Sequence, residues 1–358
     1  DEYLNVSIID KDAVLSAAKQ HNVDGIMSFG VDPGVISASY VQNKLGLPSF
    51  GPFESVEILQ NKDKFRNFLE TNGFNVPWSF AYSSTQEAYA DRERFTYPLI
   101  VKPTDSAGSK GVTCVKDGNQ LLQAIEYAMK FSIGKHIIIE EFIDKRGCSS
   151  DSDCYVKDGK FEFVSYSAQR FDQTALNPFT PAAYSWPSTF TVNESCYLNS
   201  ELQRLITLLG IKTAVFNIET RVGVNGKPYI MECTPRGGGN RLSEMLRDAT
   251  GVDMITAITR YIVGDTPTDI SQREYRGHWA EVILHSDLPG QFKCVEISSS
   301  IRPFIVEEDL WVQPGDTING FEGANDAIGT LVLNFDSSEH MEQALCDLSW
   351  MKVVPCIV

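Results

Sequence analysis

Ala214-Val-Phe-Asn-Ile-Glu219-Thr-Arg-Val-Gly-Val-Asn225-Gly226-Lys-Pro-Tyr-Ile-Met-Glu232-Cys-Thr234 alternates apolar and polar residues on both sides of Asn225-Gly226. Asn-Gly is a strong two-residue hairpin turn, because both central positions need a positive φ. Closed there, the hairpin sets Glu219 opposite Glu232 and Asn217 opposite Thr234. Side chains alternate between the faces of a strand, so these four polar groups share one face while Phe216, Ile218, Tyr229 and Met231 point to a core. Two carboxylates directly opposite each other repel unless something compensates them. Either this face is solvated or a divalent cation lies on it. Magnesium suits such a place, since it takes one or two carboxylates together with substrate phosphates.

Downstream, Glu232-Cys-Thr-Pro-Arg236-Gly-Gly-Gly-Asn240 runs an acidic strand end into a glycine-rich turn. The glycines let backbone N–H groups approach an anion, and Arg236 can brace a phosphate or carboxylate bidentately. Upstream, Tyr97-Pro-Leu-Ile-Val-Lys102 is an apolar strand ending in a lysine placed to meet a phosphate. The loop behind it, residues 103–111, offers Ser106, Gly108, Ser109 and Gly111 as flexible backbone donors. Neither a Walker A loop nor a Rossmann fingerprint occurs. Ile137-Ile-Ile-Glu140-Glu141-Phe142-Ile143 is a third element, either a plain central strand or one whose backbone end takes an adenine edge.

The chain of 358 residues is long enough for two to three domains. Its 42% hydrophobic and 22% charged residues are ordinary for a soluble globular protein. No apolar run approaches the roughly 18 residues that span a bilayer, and residues 1–10 carry no signal pattern. Eight scattered cysteines without a C-x-x-C pair point away from a zinc or disulfide framework and toward a reducing cytoplasm. A net charge of −16 argues against a duplex or membrane surface as partner.

Strands are expected at 3–9 and 24–29, and helices at 12–20, capped by Asp12, and at 33–45, closed by Gly46. Two strand–helix units make part of a doubly wound sheet. A helix over 61–72 has Phe65, Phe68 and Leu69 on one face. An α+β stretch follows, with strands at 79–82, 98–102, 112–115 and 136–143. Its helices are expected at 85–94 and 119–131, the latter with Leu121, Leu122, Ile125, Ala128 and Met129 inward. Residues 167–190, rich in Pro, Thr, Ser and aromatics, have the texture of a long active-site loop. Helices are expected at 200–209 and about 241–248. After Pro267 come short alternating strands with turns at Pro289-Gly290, Pro314-Gly315 and 320–323.

The order of these elements resembles the ATP-grasp superfamily, in the branch of biotin carboxylase, the carbamoyl-phosphate synthetase large subunit and L-amino-acid ligases. The resemblance covers about residues 1–265 and implies an α/β and α+β chain. A partial Rossmann-like domain would occupy 1–57, an ATP-grasp domain 58–265 with 79–143 as a mobile lid, and a C-terminal α+β domain 266–358. By position, Lys62 resembles the first nucleotide-binding lysine, and its eleven-residue spacing to Gly73 favours it over Lys64. Lys102, with Ser106, Gly108, Ser109 and Gly111, resembles the second lysine and its phosphate-covering loop. Glu140, Glu141, Phe142 and Ile143 resemble the adenine hinge, where the main chain of Glu140 and Ile143 would bind the base. Glu219 and Glu232 resemble the two acidic ligands of Mg2+ (or Mn2+), and Arg236 the arginine beside the reacting phosphoryl group. Two positions depart from the family. Thr234 stands where an Asn is usual, although Asn217 can compensate, and the ribose-holding acid falls to Asp151 or Asp153.

The resemblance implies an ADP-forming ligase. A carboxylate attacks the γ-phosphate of ATP, and an amine, less often a thiol, displaces phosphate from the acyl phosphate. Catalysis then needs charge neutralisation and alignment, for which Lys102 and Arg236 are the candidates. Arg170, Ser188 and Asn240 are candidates for the substrate pocket. An amino-acid or dipeptide ligase is the first expectation and a carbamoyl-phosphate-synthetase-like subunit the second. An inactive nucleotide-binding protein, motivated by Thr234, is the alternative from another class. The expected partners are small carboxylate and amine substrates, with no nucleic acid and no membrane. The C-terminal domain either closes the site or forms a homodimer.

Overall fold

The computed structural model describes residues 2–106, 108–266 and 268–356. Their contacts gather into two compact units that interleave along the chain. The first holds Asp1–Pro77, Ser152–Ser165 and Phe190–Glu274, and the second Trp78–Asp151, Tyr166–Thr189 and Tyr275–Val358. No described helix is long and apolar enough to cross a membrane.

The first unit opens with the helices Lys11–Gln20, Pro33–Leu45, Phe53–Gln60 and Lys62–Thr71. Asp10, not Asp12, caps the first, its Oδ1 accepting from the Ala13 amide at 3.0 Å. Gly46 stops the second at φ 66°, a conformation open to glycine without a Cβ clash. The strands expected at 3–9 and 24–29 do not form. Among the described residues no strand pairs with either, and an apolar run without a neighbour to take its backbone N–H and C=O groups gains nothing from extending. The helix Phe53–Gln60, unanticipated, buries Val56 and Leu59. Asn61 caps Lys62–Thr71 and so fixes Lys62 as its first helical residue. Buried Arg66 of that helix donates to the Met231 carbonyl at 2.8 Å, tying it to the hairpin.

That hairpin belongs to a four-stranded sheet in the order Pro228–Thr234, Ala214–Val222, Ser150–Lys157, Lys160–Phe163. The helix Val192–Leu208 starts earlier than its expected position, at a capping box of Thr191 and Glu194. Leu242–Thr250 and an unanticipated Met254–Ile262 complete the unit.

The second unit contains a four-stranded antiparallel sheet in the order Ser79–Tyr82, Ile137–Glu141, Leu99–Pro103, Thr113–Val115. Leu99, Val101, Ile137 and Ile139 form one face and pack with Leu121, Ala124, Ile125 and Ala128 of the helix Leu121–Phe131. Leu122, expected inward, is 39% exposed, because it lies one step around the helix from that stripe. A five-stranded sheet follows the order Ile305–Leu310, Gly329–Phe335, His278–Leu284, Pro181–Trp186, Ala168–Phe171. It shares a core with the three-stranded sheet of Thr317–Ile318, Gly290–Ile297 and Met351–Cys356 and with the helix Ser338–Cys346.

The long loop expected at 167–190 instead contains two strands, Ala168–Phe171 and Pro181–Trp186. Ala183, Ser185 and Trp186 are fully buried, and Pro181–Trp186 pairs with His278–Leu284. The polar and aromatic texture is that of a strand whose ladder partner lies far along the chain. Residues 172–180 and 187–190 lie outside those strands.

Candidate active site

The hairpin pairs Glu219 with Glu232 and Asn217 with Thr234, as the sequence pattern predicts, but by a different route. The turn is wider than the two-residue one expected. Gly226 N–H donates to the Gly223 carbonyl at 2.8 Å, Gly223 N–H to that of Lys227 at 3.0 Å, and Gly226 takes φ 74°. Beyond it, Ile230 faces Thr220, and a bulge at Met231 then inserts one residue before Glu232 meets Glu219. The wider turn shifts the register by one and the bulge restores it.

The two carboxylates are compensated within the fold. Lys62 Nζ lies 3.0 Å from Glu232 Oε1, and Arg221 Nη2 lies 3.4 Å from Glu219 Oε1. Burial pushes the Lys62 pKa down, but the charge and hydrogen bond of Glu232, with Asp32 behind it, outweigh burial and leave it raised. The sequence pattern points to solvent or a cation as the compensation, whereas the fold supplies Arg221. Its position, two residues from Glu219 and on the same face of the strand, was the available signal.

The glycine turn is shaped from below by Asp153. This buried carboxylate accepts from Gly238 N at 2.7 Å, Asn217 Nδ2 at 3.2 Å and Ser243 Oγ at 2.5 Å. Burial raises its pKa against the pull of those hydrogen bonds and of the Arg236 charge. Asp153, a sequence candidate for ribose, is thus committed to the turn. A Cβ at Gly238 would lie 2.5 Å from Leu242 Cδ1 and 2.9 Å from both Asn217 Nδ2 and Asp153 Oδ1, so the turn requires glycine there. Arg236 donates through Nε to Asp32 Oδ1 at 2.7 Å and through Nη1 to the Gly237 carbonyl at 2.9 Å. Asp32 had no sequence signal beyond preceding Pro33.

In the second unit Lys102 and Glu140 lie on the sheet face opposite the helix-packed core. Their strands are antiparallel neighbours, and Nζ meets Oε1 at 2.5 Å. The amides of Glu141 and Phe142 donate to the carbonyls of Trp78 at 2.9 Å and Pro98 at 3.4 Å, so both are committed to the fold. The loop carrying Ser106 and Gly108 includes Ala107, which lies outside the described residues. Gly108, Ser109 and Gly111 all take positive φ, of 68°, 59° and 75°. Ser109 Oγ donates to the Phe179 carbonyl at 3.2 Å.

Residues 95–244 match the family described as ATP-grasp domain. The chain contains an ATP-grasp domain. Among curated proteins it is similar to the carbamoyl phosphate synthase large chain of Methanocorpusculum labreanum, 23% identical over 290 residues, 77% of this chain and 27% of that protein. It is also similar to the arginine-specific large chain of Bacillus subtilis, 22% identical over 274 residues, 75% of this chain and 25% of that one. The chain spans about a quarter of the length of these relatives. Among solved structures it is similar to the L-amino acid ligase from Bacillus licheniformis, with TM-score 0.79 and 21% identity over 97% of this chain and 84% of that one. Phosphoribosylglycinamide synthetase from Anaerococcus prevotii gives TM-score 0.72 and 21% identity, covering 99% and 89%. The ATP-grasp fold is common to this chain and those structures.

The matched ATP-grasp segment includes Lys102, Glu140, Glu219, Glu232 and Arg236. Glu219 and Glu232 offer hard oxygen donors with side chains 27% and 41% exposed, and an entering cation can take over from Lys62 and Arg221. The pair therefore fits magnesium. Thr234 is buried opposite Asn217. Asp151, in the second unit, takes a hydrogen bond from Tyr184 at 3.4 Å. The substrate candidates do not gather in one unit. Arg170 is ion-paired to Glu342 at 2.6 Å in the second unit, which also holds Ser188, while Asn240 lies in the first at φ 54°.

Proposed function

We propose that this chain is an ATP-dependent, ADP-forming carboxylate–amine ligase, of the amino-acid or dipeptide type. The observation that carries this reading is the register that sets Glu219 against Glu232, with Lys62 at 3.0 Å. In this reading Glu219 and Glu232, with Thr234 and Asn217 beside them, hold Mg2+ or Mn2+, which neutralises the phosphates of ATP. The base is assigned to the main chain of Glu140 and Ile143, and the phosphates to Lys62, Lys102 and the loop with Ser106, Gly108, Ser109 and Gly111. Residues 79–143 act as the lid. Arg236, oriented by Asp32, braces the phosphoryl group as the substrate carboxylate attacks it. The amine then displaces phosphate from the acyl phosphate. No enzyme nucleophile is required, and exclusion of water protects the acyl phosphate. A cytoplasmic setting, small-molecule partners and a homodimer complete the proposal.

The test is phosphate release, screened over pairs of amino acids and small carboxylic acids. Glu232→Gln should remove magnesium-dependent turnover by roughly 10²-fold or more, the scale for losing one charge-stabilising group, while leaving the fold intact. Wild-type turnover in that variant would sink the metal assignment. Likeness to the carbamoyl phosphate synthase large chain supports a second reading, a subunit of that type, which predicts turnover with bicarbonate instead of an amino acid. Thr234 supports a third, a nucleotide-binding protein without catalysis, which predicts ATP binding with no phosphate release from any pair.

A further inference from the structure

Strands Ala168–Phe171 and His278–Leu284 run parallel to each other, each antiparallel to Pro181–Trp186 between them. Their C-terminal ends therefore emerge on the same edge of the sheet. Asp172 follows the first strand immediately and His285 the second, with Asp287 two residues further on. One ligand atom from each of the three lies within 4.8 Å of the others. All three residues belong to the second unit, whereas Glu219 and Glu232 belong to the first.

His285 is buried, with 3% of its side chain exposed, and its ring stacks on Phe321 at a centroid distance of 4.2 Å. Its Nδ1 lies 2.8 Å from the Ile283 carbonyl, which can only accept. The proton on Nδ1 is thereby fixed, and in the neutral ring the Nε2 lone pair is turned toward the carboxylates. This is the arrangement by which a backbone carbonyl sets the tautomer of a metal-ligating histidine. Asp172 is oriented in the same manner. Its Oδ1 accepts from Thr174 N at 2.8 Å and Thr174 Oγ1 at 2.7 Å, which leaves Oδ2 facing His285 Nε2 at 3.3 Å. Two acceptors at that separation repel unless a proton or a cation lies between them, and Asp287 adds a second carboxylate to the same place. Asp287 is exposed, but its turn is pinned by Phe321 N–H on the Ser286 carbonyl at 3.0 Å and by Ser286 Oγ on the Leu288 carbonyl at 2.7 Å.

We infer that Asp172, His285 and Asp287 bind a divalent transition-metal ion. One imidazole nitrogen and two carboxylate oxygens are a borderline donor set, suited to zinc, cobalt, iron or manganese and less to magnesium or calcium, which prefer oxygen throughout. Three protein ligands leave positions open for water. The ion clamps the ends of two strands that do not touch, together with the 172–180 loop.

Titration of the metal-free full chain with Co2+, without nucleotide, tests the site. Wild type should show one Co2+ site with the visible absorption of a low-symmetry nitrogen and oxygen donor set, distinct from any all-oxygen binding at Glu219 and Glu232, and Zn2+ should displace it. His285→Gln and Asp287→Asn should each weaken binding at this site, read by that absorption, by about tenfold or more, while Glu232→Gln leaves the absorption unchanged. If His285→Gln fails to fold, Asp287→Asn decides, because that side chain is exposed. Absence of a one-to-one site, indifference to Asp287→Asn, or loss of the site in Glu232→Gln alone would each overturn the inference. None of these outcomes depends on turnover, so the ligase reading can fail while this site stands.

Discussion

Each unit of this protein contains a lysine–glutamate pair, and the two differ in access to water. Lys102 and Glu140 lie 2.5 Å apart with 10% and 2% of their side chains exposed. Lys62 and Glu232 lie 3.0 Å apart with 17% and 41% exposed. For the buried pair each charge offsets part of the cost of desolvating the other. For the half-exposed pair water screens the attraction, and Glu232 can exchange Lys62 for another cation with little change in free energy. The first arrangement holds a lysine in a fixed place. The second keeps a carboxylate ready for an incoming ion.

The largest expected effect follows from the buried pair. Lys102→Met removes the cation beside buried Glu140 and should lower stability by about 3–5 kcal/mol, read as a fall in the urea midpoint. The double variant Lys102→Met with Glu140→Leu should recover much of that loss. Lys62→Met should cost no more than about 1 kcal/mol. Equal costs for the two lysine variants would break the comparison. A middle effect is expected at Asp153. Asp153→Ala removes the acceptor of Gly238, Asn217 and Ser243 and should cost about 1–3 kcal/mol for each donor left unsatisfied in the interior. A loss well below that range, read by thermal unfolding, would mean that the glycine turn does not depend on this carboxylate.

The smallest effect sharpens the half-exposed pair. Lys62 has a pKa raised in the fold, so protonation favours the native state. Its contribution should be complete below the ordinary lysine value, about 10.4, and should be lost as pH rises through the raised folded value. The urea midpoints of wild type and Lys62→Met should therefore converge in strongly alkaline solution. Divergence there would mean that burial, and not Glu232, governs the lysine.

Much of the fold was legible because its elements carry their own stop signals. Asn61 and Gly73 bound the helix that begins at Lys62, and Gly46 ends Pro33–Leu45. The elements that were misread include several whose partner is remote or missing. Residues 3–9 and 24–29 have the composition of strands, but no strand pairs with them among the described residues, whereas 181–186 has the composition of a loop and lies fully inside a sheet. At the candidate site the facing glutamates were predictable from alternation, but the register taken from the Asn-Gly turn was right only because a bulge offsets the wider turn. The bulge at Met231 was not predictable, because it depends on how the hairpin packs. Nor was the use of Asp153, which a linear reading could not separate from Asp151.

By itself the sequence determined which groups are available for chemistry, and their order: Lys62, Lys102, Glu140, Glu219, Glu232 and Arg236, spaced by periodicities of the backbone. Only the tertiary structure decided which of those charges are spent on one another. Lys102 is buried against Glu140, Arg236 is turned by Asp32, and Asp153 is sunk beneath Gly238. Burial is a property of the whole packed chain, and burial sets whether an ion pair is a fixture or an exchangeable site.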